Sequence, residues 1–154
     1  MATVAATLAV PASVHDAEMV WYDTTGWPGW IDGLESVVSV QGAWPAVGST
    51  VTWQSVPAGR GRVTELVVGY EQLVGQTLEV EDDSIRGRQS VTFTPLDDGV
   101  EVELRLEYKL KKRSLLMPIV DVLFVRNAWR SSLRSTLTRF GVEVEGGRAS
   151  RATG

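Results

Sequence analysis

The chain has 154 residues, of which 44% are hydrophobic and 22% charged, and its net charge is −4 at pH 7. Such a length predicts a single domain with a core of its own. The sequence has no cysteine, which excludes disulfides, thiol catalysis and cysteine metal sites. Its one histidine, His15, argues against a histidine metal site or a Ser-His-Asp triad. We therefore expect no metal ion and no other cofactor.

Charge is divided unevenly along the chain. Residues 1–108 carry 16 acidic and 5 basic side chains, a net charge of −11, whereas residues 109–139 carry 8 basic and 1 acidic, a net charge of +7. Two interpretations stay open: the basic segment complements the acidic sheet within the fold, or it meets an anionic ligand, an acidic partner or a membrane surface. Nucleic acid is not an expected partner, because the total charge is negative and the basic residues alternate with core positions.

The first quarter of the chain predicts a strand, two short helices and a second strand. Residues 3–10 alternate as in a strand, and since no basic residue precedes them they match a signal peptide poorly. We expect a cytoplasmic protein without a membrane span. Ser13, with an aspartate three residues later, resembles a capping box and predicts a helix through about Tyr22. A short helical turn is predicted at Trp27–Trp30, and the second strand at Leu34–Gln41.

Four further strand segments, separated by glycine, proline and aspartate turns, precede one long strand. Their regular spacing, with no helical pattern between them, predicts an antiparallel meander. The long strand, Val100–Lys111, alternates apolar and charged residues without an error, which indicates one buried face and one face in water. The four earlier segments are Ser49–Val56, Arg60–Tyr70, Gln76–Glu81 and Ile85–Thr94.

A long helical pattern, from about Pro118 to Phe140, follows the long strand. At about 3.3 Å per strand residue and about 1.5 Å per helical residue, the two elements have similar lengths of about 40 and about 35 Å. That pairing predicts a curved antiparallel sheet laid over one helix, with room for a cavity between them. Residues 146–154 have no periodicity and are predicted to be a loose tail after a single domain of residues 1–145.

Arg126 falls in the middle of the apolar face of this predicted helix. A charge cannot lie alone among apolar side chains without a large desolvation penalty. Three arrangements stay open: an ion pair with a buried carboxylate, a side chain that reaches the rim, or a place in a wet cavity where it binds an oxygen-rich ligand.

Aromatic and polar side chains on the inward strand and helix faces are candidate ligand contacts, although each of them also suits ordinary core packing. Trp27 and Trp30 are expected instead to fill the junction of the short helices with the sheet. Arg60 and Arg62 are expected to face solvent, and no pair of carboxylates has the spacing of an acid–base couple. The candidate ligand-binding residues are Trp53, Gln89, Phe93, Tyr108, Arg126, Trp129 and Leu133, and no catalytic residue is assigned.

The order of the elements, with the segments Trp27–Trp30, Gly61–Glu65, Val91–Pro95 and Leu123–Arg126, resembles the polyketide cyclase/dehydrase-like branch of the START/Bet v 1 (SRPBCC) superfamily. The resemblance covers about residues 2–145. It implies an α+β helix-grip fold, in which a seven-stranded antiparallel sheet wraps the C-terminal helix around a hydrophobic cavity and two short helices lie between strands 1 and 2. It also implies small apolar ligands such as lipids, polyketides or quinones.

Three functions stay open. The first is a binding module, a monomer or homodimer, that encloses a small hydrophobic ligand whose oxygens Arg126, Gln89 or Tyr108 would orient. The second is a polyketide cyclase or dehydratase that acts by confining and orienting a poly-ketone chain. The resemblance implies that an arginine and aromatic hydroxyl or indole groups orient the poly-ketone chain. In this sequence Arg126, Tyr108 and Trp53 are residues of those types. The third is an interaction protein that uses the basic segment Lys109–Arg139.

Overall fold

The structure is a computed structural model that describes the backbone of residues 1–111 and 119–153 and the side chains of residues 1–111 and 123–147. The described residues form seven strands, two α-helices and a short 3₁₀ helix. The strands are β1 (Ala2–Val10), β2 (Leu34–Gln41), β3 (Thr50–Ser55), β4 (Arg62–Glu71), β5 (Gly75–Glu81), β6 (Ile85–Leu96) and β7 (Gly99–Leu110). The helices are α1 (Val14–Tyr22), the 3₁₀ helix (Thr24–Gly29) and α2 (Ile119–Thr153).

All seven strands belong to one antiparallel sheet in the order β1-β7-β6-β5-β4-β3-β2. Strands β2 to β7 form the predicted meander, and β1 pairs with β7 so that Val10 lies opposite Val100 and Ala2 opposite Tyr108. With two short helices after β1 and one long helix after β7, the chain has the α+β helix-grip fold that the sequence predicts.

The alternation of β7 fixes which face of the sheet is covered. Its apolar residues are buried, while the charged residues between them are exposed or half-buried. Because side chains on neighbouring strands share a face when they are in register, this strand sets the inward direction for β1 and β6 as well. The buried residues of β7 are Val100, Val102, Leu104, Leu106 and Tyr108.

The two short helices are held by caps and by tryptophan side chains. Ser13 Oγ accepts a hydrogen bond from Asp16 N at 3.1 Å, which confirms the predicted start of α1. Trp27 Nε1 donates to the backbone oxygen of Trp21 at 2.8 Å. Trp27 and Trp30 are both buried, as expected of residues that fill the junction between the short helices and the sheet.

Helix α2 lies against β1, β7 and α1, and its described buried side chains fall within residues 133–144. The buried residues Leu133, Leu137, Phe140 and Val144 follow the spacing of one helical face. The helix continues to Thr153, through most of the segment that the sequence predicts to be a loose tail. Gly146 and Gly147 in that segment have open space where a side chain would be.

Within the described residues, no helix has both the length and the apolar character that a bilayer crossing requires.

Phe140 should be among the residues on which stability depends most. Its ring centroid lies 5.0 Å from that of Trp21 and 5.1 Å from that of Trp30, so the three rings join α2 to the short helices. We expect Phe140→Ala to lower the free energy of unfolding by about 3–5 kcal/mol, measured by urea denaturation. Val142→Ala, at a side chain 66% exposed on the same helix, is the control and should cost less than about 0.5 kcal/mol.

Candidate functional site

A cavity of about 40 Å³ lies between the sheet and α2. That volume holds one or a few water molecules, whereas pockets for drug-sized ligands measure about 300–1,000 Å³. Its walls include five indole rings, and the rest of the lining is unusually polar for the interior of a protein. The charged and polar lining residues are Asp32, Arg60, Glu65, Gln76, Gln89, Ser132 and Thr136.

The guanidinium of Arg60 lies between two indole rings at this cavity. Its central carbon is 5.1 Å from the ring centroid of Trp53, on β3, and 4.6 Å from that of Trp129, on α2. Arg60 Nε donates to Asp82 Oδ2 at 2.6 Å, and Asp82 Oδ1 accepts from the backbone N–H groups of Ser84 and Ile85. One side chain therefore joins the β3–β4 connection, the β5–β6 turn and α2.

The prediction that Arg60 faces solvent is wrong, since its side chain is only 20% exposed. Arg60 lies two residues before β4, in a turn where Gly61 has a φ of +76°. This turn brings the Arg60 side chain over the sheet. Strand alternation says nothing about a residue in such a turn, so the sequence carries no periodic signal for this placement.

Glu65 is a buried carboxylic acid in the cavity wall. Its Oε1 accepts a hydrogen bond from Trp53 Nε1 at 3.0 Å. Burial raises the pKa of the Glu65 carboxyl, and the Trp53 hydrogen bond and the positive charge of Arg60 oppose that rise without cancelling it. The group therefore stays protonated to a higher pH than an exposed glutamate does.

Glu65 is not among the predicted site residues, although the sequence carries a signal for it. On β4, Glu65 alternates with Val63 and Val67, and all three are buried. A charged residue in step with two valines predicts an inward carboxyl, and such a group in a cavity is a candidate functional residue.

Three buried polar atoms of lining residues have no hydrogen-bond partner among the described residues: Trp30 Nε1, Arg60 Nη2 and Gln76 Oε1. The first two are donors and the third is an acceptor. Gln76 is held in place from its other end, because its Nε2 donates to the backbone oxygen of Pro45 at 3.1 Å. Three residues that line the cavity therefore each carry a buried polar atom without a described partner, although most buried polar groups in proteins are hydrogen-bonded.

The second half of α2 is clamped to the segment before β2 through Asp32. Ser132 Oγ donates to Asp32 Oδ2 at 2.7 Å, and the Asp32 N–H donates to Thr136 Oγ1 at 3.0 Å. Arg139 Nη1 lies 3.7 Å from Asp32 Oδ1. This part of the helix is fixed by hydrogen bonds as well as by its buried apolar face.

The preceding part of α2 is held much less firmly. Leu123 is 54% exposed and Phe124 73% exposed, and Trp129 is only half-buried. Few buried contacts mean a low cost of local displacement. Residues 123–131 of α2, of which Trp129 lines the cavity, are therefore held by fewer buried side chains than residues 132–144.

Of the predicted ligand contacts, the structure brings Trp53, Gln89, Trp129 and Leu133 together around the cavity. Phe93 is buried among aromatic rings instead, 6.2 Å from Trp21 between ring centroids. Tyr108 packs on Trp129 with ring centroids 6.0 Å apart and does not line the cavity. Burial raises the pKa of the Tyr108 hydroxyl above its ordinary value, and the positive charge of Arg126 offsets only part of that rise.

Arg126 is exposed and does not line the cavity. Its Nη2 donates to the backbone oxygen of Thr3, on the edge strand β1, at 3.3 Å. The side chain thereby reaches the rim and avoids desolvation, which is one of the three arrangements that the sequence left open. Helical periodicity placed Arg126 on the apolar face but could not show that this face extends past the edge of the sheet at this point.

Other basic side chains of the segment Lys109–Arg139 also have partners within the chain. Lys111 Nζ lies 2.7 Å from Glu81 Oε1, and Arg139 pairs with Asp32. The described contacts therefore include charge complementation between the basic segment and the acidic part of the chain.

Comparisons with known proteins give a family and a fold. The family model described as polyketide cyclase / dehydrase and lipid transport matches residues 1–145. A search of the curated proteins gives no match.

Several solved structures share the architecture. A protein from Thermus thermophilus is 20% identical, with a TM-score of 0.75 over 95% of this chain and 99% of that one. The di-domain ARO/CYC protein StfQ of the steffimycin biosynthetic pathway is 15% identical, with a TM-score of 0.75 over 96% of this chain and 51% of that one. Norcoclaurine synthase from Thalictrum flavum is 14% identical, with a TM-score of 0.68 over 94% of this chain and 87% of that one. At these identities the likeness shows the fold alone.

Replacing Glu65 by glutamine should change how stability depends on pH. Because the pKa of Glu65 is raised in the folded protein, the folded state holds more protons than the unfolded chain between the two pKa values. The stability that the protonated carboxyl contributes is complete below the unfolded pKa and is lost as pH rises through the folded pKa. We expect the unfolding free energy of the wild type to fall relative to that of Glu65→Gln as pH rises above about 4.5. Urea denaturation over a pH series measures this, and a constant difference between the two proteins would contradict it.

Proposed function

Since the chain belongs to the polyketide cyclase, dehydrase and lipid transport family, we propose that it binds a small hydrophobic molecule bearing oxygen atoms between the sheet and α2. The polar end of that molecule meets Arg60, Gln76 and Trp30. Its apolar part lies under residues 123–131 of α2.

The observation that carries the proposal is that three residues lining one cavity each have a buried polar atom with no partner among the described residues. A buried donor or acceptor without a partner costs about 1–3 kcal/mol, so a ligand that satisfies it gains that energy on binding. A carbonyl oxygen suits the two donors, Arg60 Nη2 and Trp30 Nε1. A hydroxyl group suits the acceptor, Gln76 Oε1.

Room for the apolar part of the ligand requires α2 to move. The cavity of about 40 Å³ is too small for a lipid or a fused-ring molecule. Displacement of Trp129 with the exposed residues before it enlarges the space without disturbing the clamp at Asp32. Burial of about 200 Å² of apolar ligand surface would contribute about 5 kcal/mol, which offsets the cost of that displacement.

Structural relatives handle molecules of this class. The norcoclaurine synthase structure contains dopamine and hydroxybenzaldehyde, which are small oxygen-bearing aromatic compounds. The StfQ structure belongs to a biosynthetic pathway and bears the description ARO/CYC. The first of these structures supports an oxygenated ring compound as the ligand of this chain.

Native mass spectrometry of freshly purified protein tests the proposal most directly, because it can detect a co-purified ligand. Quenching of tryptophan fluorescence by a quinone, a fatty acid and a hydroxynaphthoquinone then gives affinities. We expect dissociation constants in the micromolar range for at least one oxygenated ring compound. Binding no tighter than about 1 mM for every compound, with no co-purified molecule, would contradict the proposal.

Arg60→Lys should weaken binding of the same compounds. Lysine keeps a cation for Asp82 but lacks Nη2, the guanidinium nitrogen for which no partner is described. Loss of one hydrogen bond to a charged donor, about 1.5–3 kcal/mol, raises the dissociation constant about 10- to 100-fold. The control is Arg62→Lys, because Arg62 lies two residues later, at the start of β4, and its side chain is exposed. Equal affinities of the two variants would show that Arg60 does not contact the ligand.

Ligand binding should also change amide hydrogen exchange unevenly along α2. We expect the largest change in residues 123–131, which must rearrange, and the smallest in residues 133–144, which are anchored to the core. Exchange measured by mass spectrometry with and without ligand tests this. A uniform change along the helix would contradict movement of its first part alone.

A further inference from the structure

Lysine and arginine are absent from one end of the sheet, the end at which β6 turns into β7. The ranges without a basic residue are 1–59, 63–85 and 89–104. The β6–β7 turn is acidic instead, with Asp97 and Asp98 both exposed. Lys109 lies near the opposite end of β7, about 35 Å away at about 3.3 Å per strand residue. The two ends of β7 therefore carry opposite charges.

Helix α2 places two exposed apolar side chains at the end of the sheet that carries Lys109. Arg126 Nη2 donates to the backbone oxygen of Thr3, at the start of β1, where β1 runs beside the last residues of β7. In the same part of the helix, Leu123 is 54% exposed and Phe124 73% exposed. At about 100° per residue, Phe124 lies on the opposite side of α2 from the buried Leu133, so it projects away from the sheet.

Three basic side chains at this end have no carboxylate partner among residues 1–111 and 123–147. They are Lys109, Arg126 and Arg130, of which the first two are exposed. The one hydrogen bond described for Arg126 goes to an uncharged backbone oxygen, which leaves its positive charge uncompensated. These three residues, together with Leu123 and Phe124, are called the basic end below. Their charge acts on whatever lies outside the molecule.

We propose that the basic end is a docking surface for a lipid bilayer that contains anionic lipids. Lys109, Arg126 and Arg130 meet the anionic headgroups, while Leu123 and Phe124 enter the boundary between headgroups and acyl chains. Docking is peripheral, because no described helix has the length and apolar character to cross a bilayer.

Charge complementarity identifies the occupant as anionic, and the projecting phenylalanine favours a bilayer over an acidic protein. A side chain such as Phe124, exposed on the convex side of a helix, needs a matching pocket on a folded partner, whereas a fluid bilayer accommodates it without one. The acidic β6–β7 turn faces away from the bilayer in this orientation. The charge distribution of the whole chain therefore orients it before contact.

The basic end is separate from the proposed ligand cavity. Lys109, Leu123, Phe124, Arg126 and Arg130 are not among the residues that line that cavity. Docking can therefore be tested without knowledge of the ligand, and its failure would leave the proposed binding function untouched.

Co-sedimentation with vesicles measures docking. We expect the protein to bind vesicles made of phosphatidylcholine and phosphatidylglycerol in equal parts and not vesicles of phosphatidylcholine alone. Raising the salt concentration about tenfold should release most of the bound protein, because salt screens the attraction between exposed charges and headgroups. Absence of binding to the mixed vesicles at low salt would overturn the proposal.

The charge of the basic end is tested with the double variant Lys109→Gln and Arg126→Gln. Loss of two cations near the surface should weaken binding to the mixed vesicles about 30-fold. The matched control, Lys109→Arg with Arg126→Lys, keeps both charges and should bind as the wild type does. Equal binding of the two double variants would overturn the role of this surface.

Insertion of Phe124 is tested with a fluorescent label. Because the chain has no cysteine, Phe124→Cys provides a single attachment point for nitrobenzoxadiazole, whose emission shifts to the blue in an apolar surrounding. We expect that shift with the mixed vesicles. Val142→Cys is the control, since Val142 is 66% exposed on the same side of α2 but five turns further along, and its label should not shift. Equal responses at the two positions would contradict insertion at the basic end.

Two other occupants are distinguished in the same experiments with Phe124→Ala, which should weaken vesicle binding about 10-fold. Poly-L-glutamate serves as the probe for an acidic protein partner. Binding to it as tight as to the mixed vesicles, and unaffected by Phe124→Ala, would replace the bilayer with such a partner. A dimer that Phe124→Ala dissociates in sedimentation equilibrium, without vesicle binding, would assign the surface to a second copy of the chain and overturn the proposal.

Discussion

The stacking of Arg60 between Trp53 and Trp129 is the interaction on which the site depends. It joins the sheet to the least firmly held part of α2, and its ion pair with Asp82 fixes the guanidinium in place. A cation over two indole rings is stabilised by both, and Arg60 Nη2 has no partner among the described residues. The same side chain therefore connects the cavity walls and is the proposed contact for a ligand.

The cavity combines features that rarely occur together in a core. Its walls are largely aromatic, but it contains a carboxyl with a raised pKa, a paired arginine and an amide with an unused oxygen. An empty space lined by polar groups raises the free energy of the folded state, because those groups lack hydrogen bonds. That cost is small when water or an oxygen-bearing group occupies the space. This cost is consistent with a small cavity in a chain of the polyketide cyclase, dehydrase and lipid transport family.

The fold could be predicted from the sequence because its main signals are local and repeated. The alternation in β7 and the turns between strands determine the sheet, and the helical period of residues such as Leu133 and Phe140 determines the buried face of α2. The site was predicted only in part. Glu65 obeys the alternation rule and could have been found, whereas Arg60 depends on a turn conformation and Arg126 on the extent of the sheet, which no periodicity encodes.

The unequal attachment of α2 determines the shape of the space that it can open. A rod fixed at one end pivots, so the displacement is smallest beside Leu133 and grows toward Phe124. The gap that the proposed movement opens is consequently a wedge. On that proposal, flat, tapering molecules enter with less distortion than rounded ones of equal volume, and thickness rather than overall size becomes the main criterion of selection.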